Sequence, residues 1–539
     1  MTLRLFALAL AVGAPALAQV SATCDQPREL DKYQLLRRLS LDLRGRAPSV
    51  EEYQALDAQA SVPVATVRAY LGSDDFRQVM RRQHEEFFWP NVTNVQLNGT
   101  NAQLNNVGTA ADPIYAIAST GKRRLFRGLA DVSTALGAQC GDFQQTQFTA
   151  GFVPAAAGIR TTTVNGTTVR QEGWRLVTPY WAPGTQVKVC AFDAMETPTV
   201  TAGTRTYDCA TNDGDGRAEC GCGPNLRWCY GPTGQVRSVI HAAMREQLLR
   251  MVDKVTTGGE AYTTLLTSRT APINGPLAFW RRNLAPHLTY ARVVALPDPN
   301  ETLPTLAFTD TTWQEVDRGS PLHAGVLTTP AYLLRFQTNR GRANRFRQDF
   351  ECESFVPPSA LESPAADGCS DSSSDLTKRC TCRYCHRQLE PMAALWGQFA
   401  EAGVTLMTNR TMFPRTNSSC INSTSAFCRR FYVTDHSDDA PGSLLAWQYA
   451  DAAHPDITQA ITAGPKSRVD AAVANGAFAR CTVRRTWATL MKRELRLVGT
   501  DPDEAAAVQS LATGFAANGY RLPWLVEQVV SHPSYRRIR

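Results

Sequence analysis

The chain has 539 residues, of which 43% are hydrophobic and 19% charged, enough apolar material to bury several cores and too much for a disordered tail or a disulfide-dependent miniprotein. Its 56 basic and 49 acidic residues leave a formal charge of +7, mostly interspersed, and no recognisable nucleic-acid motif accompanies it, so a nucleic-acid partner is not expected. With such a core available, the fifteen cysteines call for another explanation than structural rescue.

The first residues supply part of it. Arg4, the apolar run from Leu5 to Val12, Pro15 and the ending Ala16, Leu17, Ala18 describe a secretory signal peptide over 1–18, cut before Gln19. Periplasmic or extracellular localisation follows, in a compartment where disulfides are permitted. No later stretch reaches the roughly 20 apolar residues of a spanning helix, so no transmembrane segment is expected after cleavage.

From 24 to 95 the pattern is helical. Leu35, Leu36, Leu39 and Leu43 share one stripe, Ser49 and Glu52 form a capping box, and a further helix through "VATVRAYLGSDDFRQVMRRQHEEFFW" is expected to break near Gly72. From 96 to 235 the composition turns to Asn, Thr, Gly and Ala with beta-branched runs, which predicts an irregular, Cys-rich insertion of short hairpins and long loops. Helical periodicity returns over 236–350, at "VRSVIHAAMREQLLRMVDKV" and "TPAYLLRFQT". A loop-rich segment with the densest cysteine motif occupies 351–465, and three helices are expected over 466–539, the second capped by Asp501 and the third carrying Pro523 near its start. The expected class is mainly α and multi-domain, with a loop-rich, disulfide-bearing insertion.

The motif is "KRCTCRYCHRQLEPM", 378–392. Cys382, Cys385 and His386 form C-x-x-C-H, the spacing of c-type haem attachment, in which two thiols bond the two vinyl groups of one porphyrin and the adjacent imidazole ligates its iron. Two rivals use the same residues. A zinc knuckle would draw on Cys380, Cys382, Cys385 and His386, although Cys380 and Cys382 are closer than zinc pairs usually are, and a disulfide framework would consume the thiols in bridges. Two cysteines taken by haem leave an odd number, so at least one other remains outside intramolecular pairs. For the far side of the iron the candidates are Met407, Met412 and His436, with Met392 too near the motif to reach round.

Around these residues the sequence resembles the large exported cytochrome c-like proteins of planctomycetes and myxobacteria, which carry several adjacent domains of unknown function. The resemblance rests on Arg37, Arg38, Leu39, Asp42, Leu43, Gly45 and Pro48, on "HAGVLTTPAYLLRF" followed by the motif with Pro391, Phe399 and Gly403, and on the stretch from "FARCTVRRTWATLMKREL" to "SHPSYR". It covers about half of the chain and implies a cytochrome c-like segment over 351–465 with one covalent haem c. The chain departs from the family in having Glu390 where an Asp precedes the proline, and Trp396 or Gly397 where an acidic residue is usual. Cys380 is expected to pair with another cysteine.

A second candidate site lies in "TNDGDGRAECGCGP", where Asp208, Asn212, Asp213 and Asp215 cluster on a turning backbone as calcium ligands would, although the pattern fails the twelve-residue calcium loop. The functional expectation is an exported single-haem c-type cytochrome-like protein that transfers electrons or supports a redox enzyme in the periplasm, with a periplasmic redox partner. The alternative is a disulfide-stabilised extracellular binding or structural protein without haem, with calcium as its candidate ion; a haem peroxidase is a weaker third.

Overall fold

The computed structural model describes residues 28–97, 102–117, 140–164, 167–215, 217, 219–287, 293–296, 298, 300–354, 369–380, 382–450, 454–493 and 502–538. The signal peptide, Cys24, Gly216 and the Asp501 cap lie outside them. No helix among the described residues is long and apolar enough to cross a membrane.

The N-terminal helices form where their caps and stripes dictate. Asp31 caps α1 (Lys32–Arg44) in a reciprocal box with Gln34, the four leucines of the stripe are buried, and Gly45 ends the helix at φ 70°, a left-handed turn that suits glycine. Ser49 and Glu52 make the expected box on α2 (Val50–Asp57). The long helical run divides at Gly72 into α3 (Val64–Leu71) and α4 (Asp74–Phe88), because the Ser73 side chain accepts from the Phe76 amide and starts a new helix.

The insertion is built as its composition implies. A four-stranded sheet runs in the order Leu104–Asn106, Ile114–Ile117, Val187–Cys190, Trp174–Val177, with the central pair parallel and the others antiparallel. Two separate hairpins are formed by Arg160–Val164 with Thr167–Gln171 and by Thr199–Ala202 with Arg205–Asp208. Cys140–Cys190, Cys209–Cys220 and Cys222–Cys229 tie these short pieces together.

Helices then resume as α5 (Arg237–Thr256), the short α6 (Thr264–Thr267) and α7 (Gly275–Phe279), α8 (Pro330–Arg335) and α9 (Asn339–Phe346). The motif opens α10 (Arg383–Ala394), followed by α11 (Ala426–Phe431), α12 (Pro455–Ala474), α13 (Ala477–Met491), α14 (Pro502–Ala517) and α15 (Leu522–Ser531). The run "DAAVANGAFARCTVRRTWATLMKREL", expected to be one helix, is two. Gly476 sits at φ 74° between α12 and α13, a conformation that stops one helix and admits the next.

One large core gathers residues far apart in the chain: Leu39 and Phe88 from the N-terminal helices, Ile240 and Leu248 from α5, Phe346 from α9, Trp487 from α13 and Leu525 from α15. The ends meet in a two-residue antiparallel pairing, Arg28 opposite Ile538 and Glu29 opposite Arg537. A smaller core, including Met407, Phe413, Phe431, Trp447 and Ile461, gathers the segment that follows the motif against Val294 and Ala394. The protein is thus mainly helical and multi-domain, with disulfides and small irregular sheets.

Candidate functional site at the start of helix α10

Cys382 immediately precedes α10, and the amides of Cys385 and His386 both donate to its carbonyl, at 3.2 and 3.0 Å. The motif is therefore wound into one helical turn. Cys380, just upstream, is bridged to Cys369 as expected. The six disulfides among the described residues use twelve cysteines, and none uses Cys382 or Cys385. Both side chains are half-buried.

His386 is oriented from below. Its Nδ1 is hydrogen-bonded to Oε1 of Glu390, one turn along the same helix, and that oxygen also accepts from Arg340 Nε at 2.7 Å. Glu390 is only 5% exposed, whereas the Arg340 side chain is 39% exposed, so a buried carboxylate is shared between an imidazole and a guanidinium from α9. The His386 ring is 19% exposed, and among the described residues its hydrogen-bond partner is Glu390, at Nδ1.

The residues after the motif fix the frame. Trp396 is fully buried and donates from Nε1 to the Leu327 carbonyl at 3.1 Å; it fills the core, while Tyr384 is exposed. At Gly403 a Cβ would stand 2.4 Å from the Val294 carbonyl, so the close backbone approach there requires glycine. Arg342, also fully buried, donates to the carbonyls of Phe336, Leu333, Ala400 and Gly403 and to Asn339 Oδ1, tying α8 and α9 to the turn beyond α10.

The distal candidates are dispersed. Met407 is buried in the smaller core, Met412 is exposed, and the His436 side chain is 71% exposed, with Nδ1 3.0 Å from Asn422 Oδ1. Met392 lines an open groove of about 730 Å³ between α10 and α12, together with Pro391, Leu395, Ala460 and Ala463.

The acidic turn splits in two. Asp213 pairs with Arg205 at 2.5 Å, and Asp208 accepts from the Ala210 amide, both at the surface. Asp215 turns inward to His287 Nδ1 at 3.2 Å, and the Asn212 amide donates to the Pro286 carbonyl. Among the described residues no three His, Cys, Asp or Glu side chains gather where they could hold a metal ion. A covalently attached porphyrin would make a different demand, two thiols to hold it and an imidazole for its iron.

The motif's donor set meets that requirement: two thiols and an imidazole on one turn, with the ring's other nitrogen held by a carboxylate in the arrangement common to metal-bound histidines. Sequence reasoning singled out Cys382, Cys385 and His386 and missed Glu390, which holds His386, and Arg340, which holds Glu390. The four-residue spacing from His386 to Glu390 was a readable signal, since such residues share a helix face; nothing in the sequence pointed to Arg340.

No family model matches the chain, and no curated protein or solved structure does.

Proposed function

We propose that this disulfide-framed chain is an exported single-haem c-type protein that passes electrons to a periplasmic redox partner. The observation that carries the reading is the C-x-x-C-H sequence wound into one helical turn, with His386 aligned by Glu390. Cys382 and Cys385 would each add their S–H across one vinyl group to form a thioether, and His386 would offer Nε2 to the iron. Bound haem would supply a one-electron couple. Glu390 holds the imidazole tautomer, and the turn's half-burial leaves the attachment edge within reach of a partner.

The test is expression in a host that matures c-type cytochromes. A Soret band that stays with the chain under denaturing conditions is expected, with Cys385→Ala unable to form the two-thioether product. A wild-type protein without covalent haem, or a variant that keeps both thioethers, overturns the assignment.

The six disulfides favour a second reading: a disulfide-stabilised extracellular binding or structural protein in which the motif holds no haem. Purified wild-type chain that is folded and colourless would decide for it.

A further inference from the structure

We infer that Glu390 and Arg340 form an electrostatic pair that sets the reduction potential of a haem iron on His386, the carboxylate lowering it and the guanidinium raising it. This inference rests on the haem reading above and adds two positioning residues to it. Neither residue would touch the iron; both would act through the imidazole.

The argument is geometric. Glu390 Oε1 accepts from two donors at once, His386 Nδ1 and Arg340 Nε, and the acid is 5% exposed. A hydrogen bond from Nδ1 to a carboxylate makes the other ring nitrogen a stronger donor, which favours the more oxidised, more positive metal. An acceptor amide would do this less, because it carries no charge. Burial matters as much as contact, since charges near a low-dielectric interior interact several times more strongly than charges in water.

Arg340 acts on the same oxygen from the other side. Its positive charge competes with the imidazole for Glu390 and offsets part of the negative potential felt at the ring. Because its side chain is 39% exposed, solvent screens it more than the carboxylate it faces. Removing Arg340 should therefore shift the couple less than removing the charge of Glu390, and in the opposite sense. The two residues come from different helices, α10 and α9, so the pair also fixes how far α9 stands from the motif turn.

The experiment is a redox titration of full-length, haem-loaded protein for wild type, Glu390→Gln and Arg340→Gln, with covalent haem content measured in each. The expected result is undiminished attachment in all three, a higher potential in Glu390→Gln and a lower one in Arg340→Gln. The Glu390 shift should correspond to at least a tenfold change in the reduction equilibrium, about 59 mV for one electron. Equal potentials in haem-loaded wild type and variants, or shifts of the same sign, overturn this inference and leave the haem reading standing. A wild-type chain that takes up no covalent haem overturns both. Should Glu390→Gln fail to fold, the sign of the Arg340→Gln shift still decides, since a structural role alone gives no reason for a lower potential.

Discussion

Tyr535 donates its hydroxyl hydrogen to the Asp42 carboxylate at 2.8 Å, a contact between residues 493 positions apart. Arg38, one turn before Asp42 on α1, stacks its guanidinium 4.2 Å from the Tyr535 ring centre and donates to the Tyr535 carbonyl at 2.8 Å. Lys492 adds a second cation 3.3 Å from Asp42. The first and last helical segments are thus joined by a small polar network whose tyrosine is fully buried. The Arg38–Asp42 turn of α1 and Tyr535 near the end of the described residues are the two halves of one contact.

That contact sets the first expectation. Tyr535→Phe keeps the packing and removes one hydrogen bond to a charged acceptor, for a loss of about 2 kcal/mol. Asp42→Ala should cost more, about 3 kcal/mol, because it strands the buried hydroxyl and leaves Arg38 and Lys492 without their shared anion. Denaturant unfolding followed by circular dichroism measures both; a Tyr535→Phe midpoint equal to wild type would show that the network only decorates the interface.

The disulfides should differ in worth according to the loops they close. Cys352–Cys481 spans 129 residues and ties the segment after α9 to α13, beside the Arg485–Asp349 ion pair at 2.8 Å. Cys222–Cys229 spans seven residues within the insertion. The chain-entropy model assigns about 5 kcal/mol to the long loop and about 2 kcal/mol to the short one. Replacing each pair by alanine and comparing guanidinium midpoints checks the ratio. Equal losses would mean that native contacts, and not loop closure, set the contribution.

Local signals in the sequence were legible in proportion to their locality. The leucine stripe of α1, the Ser49–Glu52 box and the break at Gly72 each depend on residues within one or two turns, and all three stand as expected. The undivided helix expected through Asn475 and Gly476 failed because apolar periodicity resumes after the turn and conceals it. Cysteine parity left one cysteine over, and the structure leaves Cys24 outside its described residues; no spacing rule could have paired Cys352 with Cys481. At the motif, Cys382, Cys385 and His386 stand out within five positions, whereas Arg340 enters through the packing of α9 on α10.

A last expectation concerns acid. His84 and Asp349 line one cavity with Tyr262, Phe350 and Arg485, where α4 meets α13. Burial lowers His84 from 6.5 to about 4; its Nδ1 lies 2.7 Å from the Met80 carbonyl and its Nε2 2.9 Å from the Tyr262 hydroxyl. Burial raises Asp349 from 3.8 to about 6, against the opposing pull of Arg345 and Arg485. The signs oppose. Between pH 6.5 and 4 the unfolded chain takes up a proton at His84 that the folded protein refuses, so that contribution is complete above 6.5 and falls as pH drops toward 4. The folded Asp349 keeps its proton up to about pH 6 while the unfolded chain releases it near 3.8, so that contribution is complete below 3.8 and is lost as pH rises through 6. Each slope reaches about 1 kcal/mol per pH unit, and from pH 4 to 6 they cancel. His84→Gln should therefore lose stability relative to wild type as pH rises across that window, and Asp349→Asn should gain it. Stability measured at half-unit steps of pH for the three proteins shows the two difference curves; parallel curves would mean that the cavity's proton balance does not act on folding.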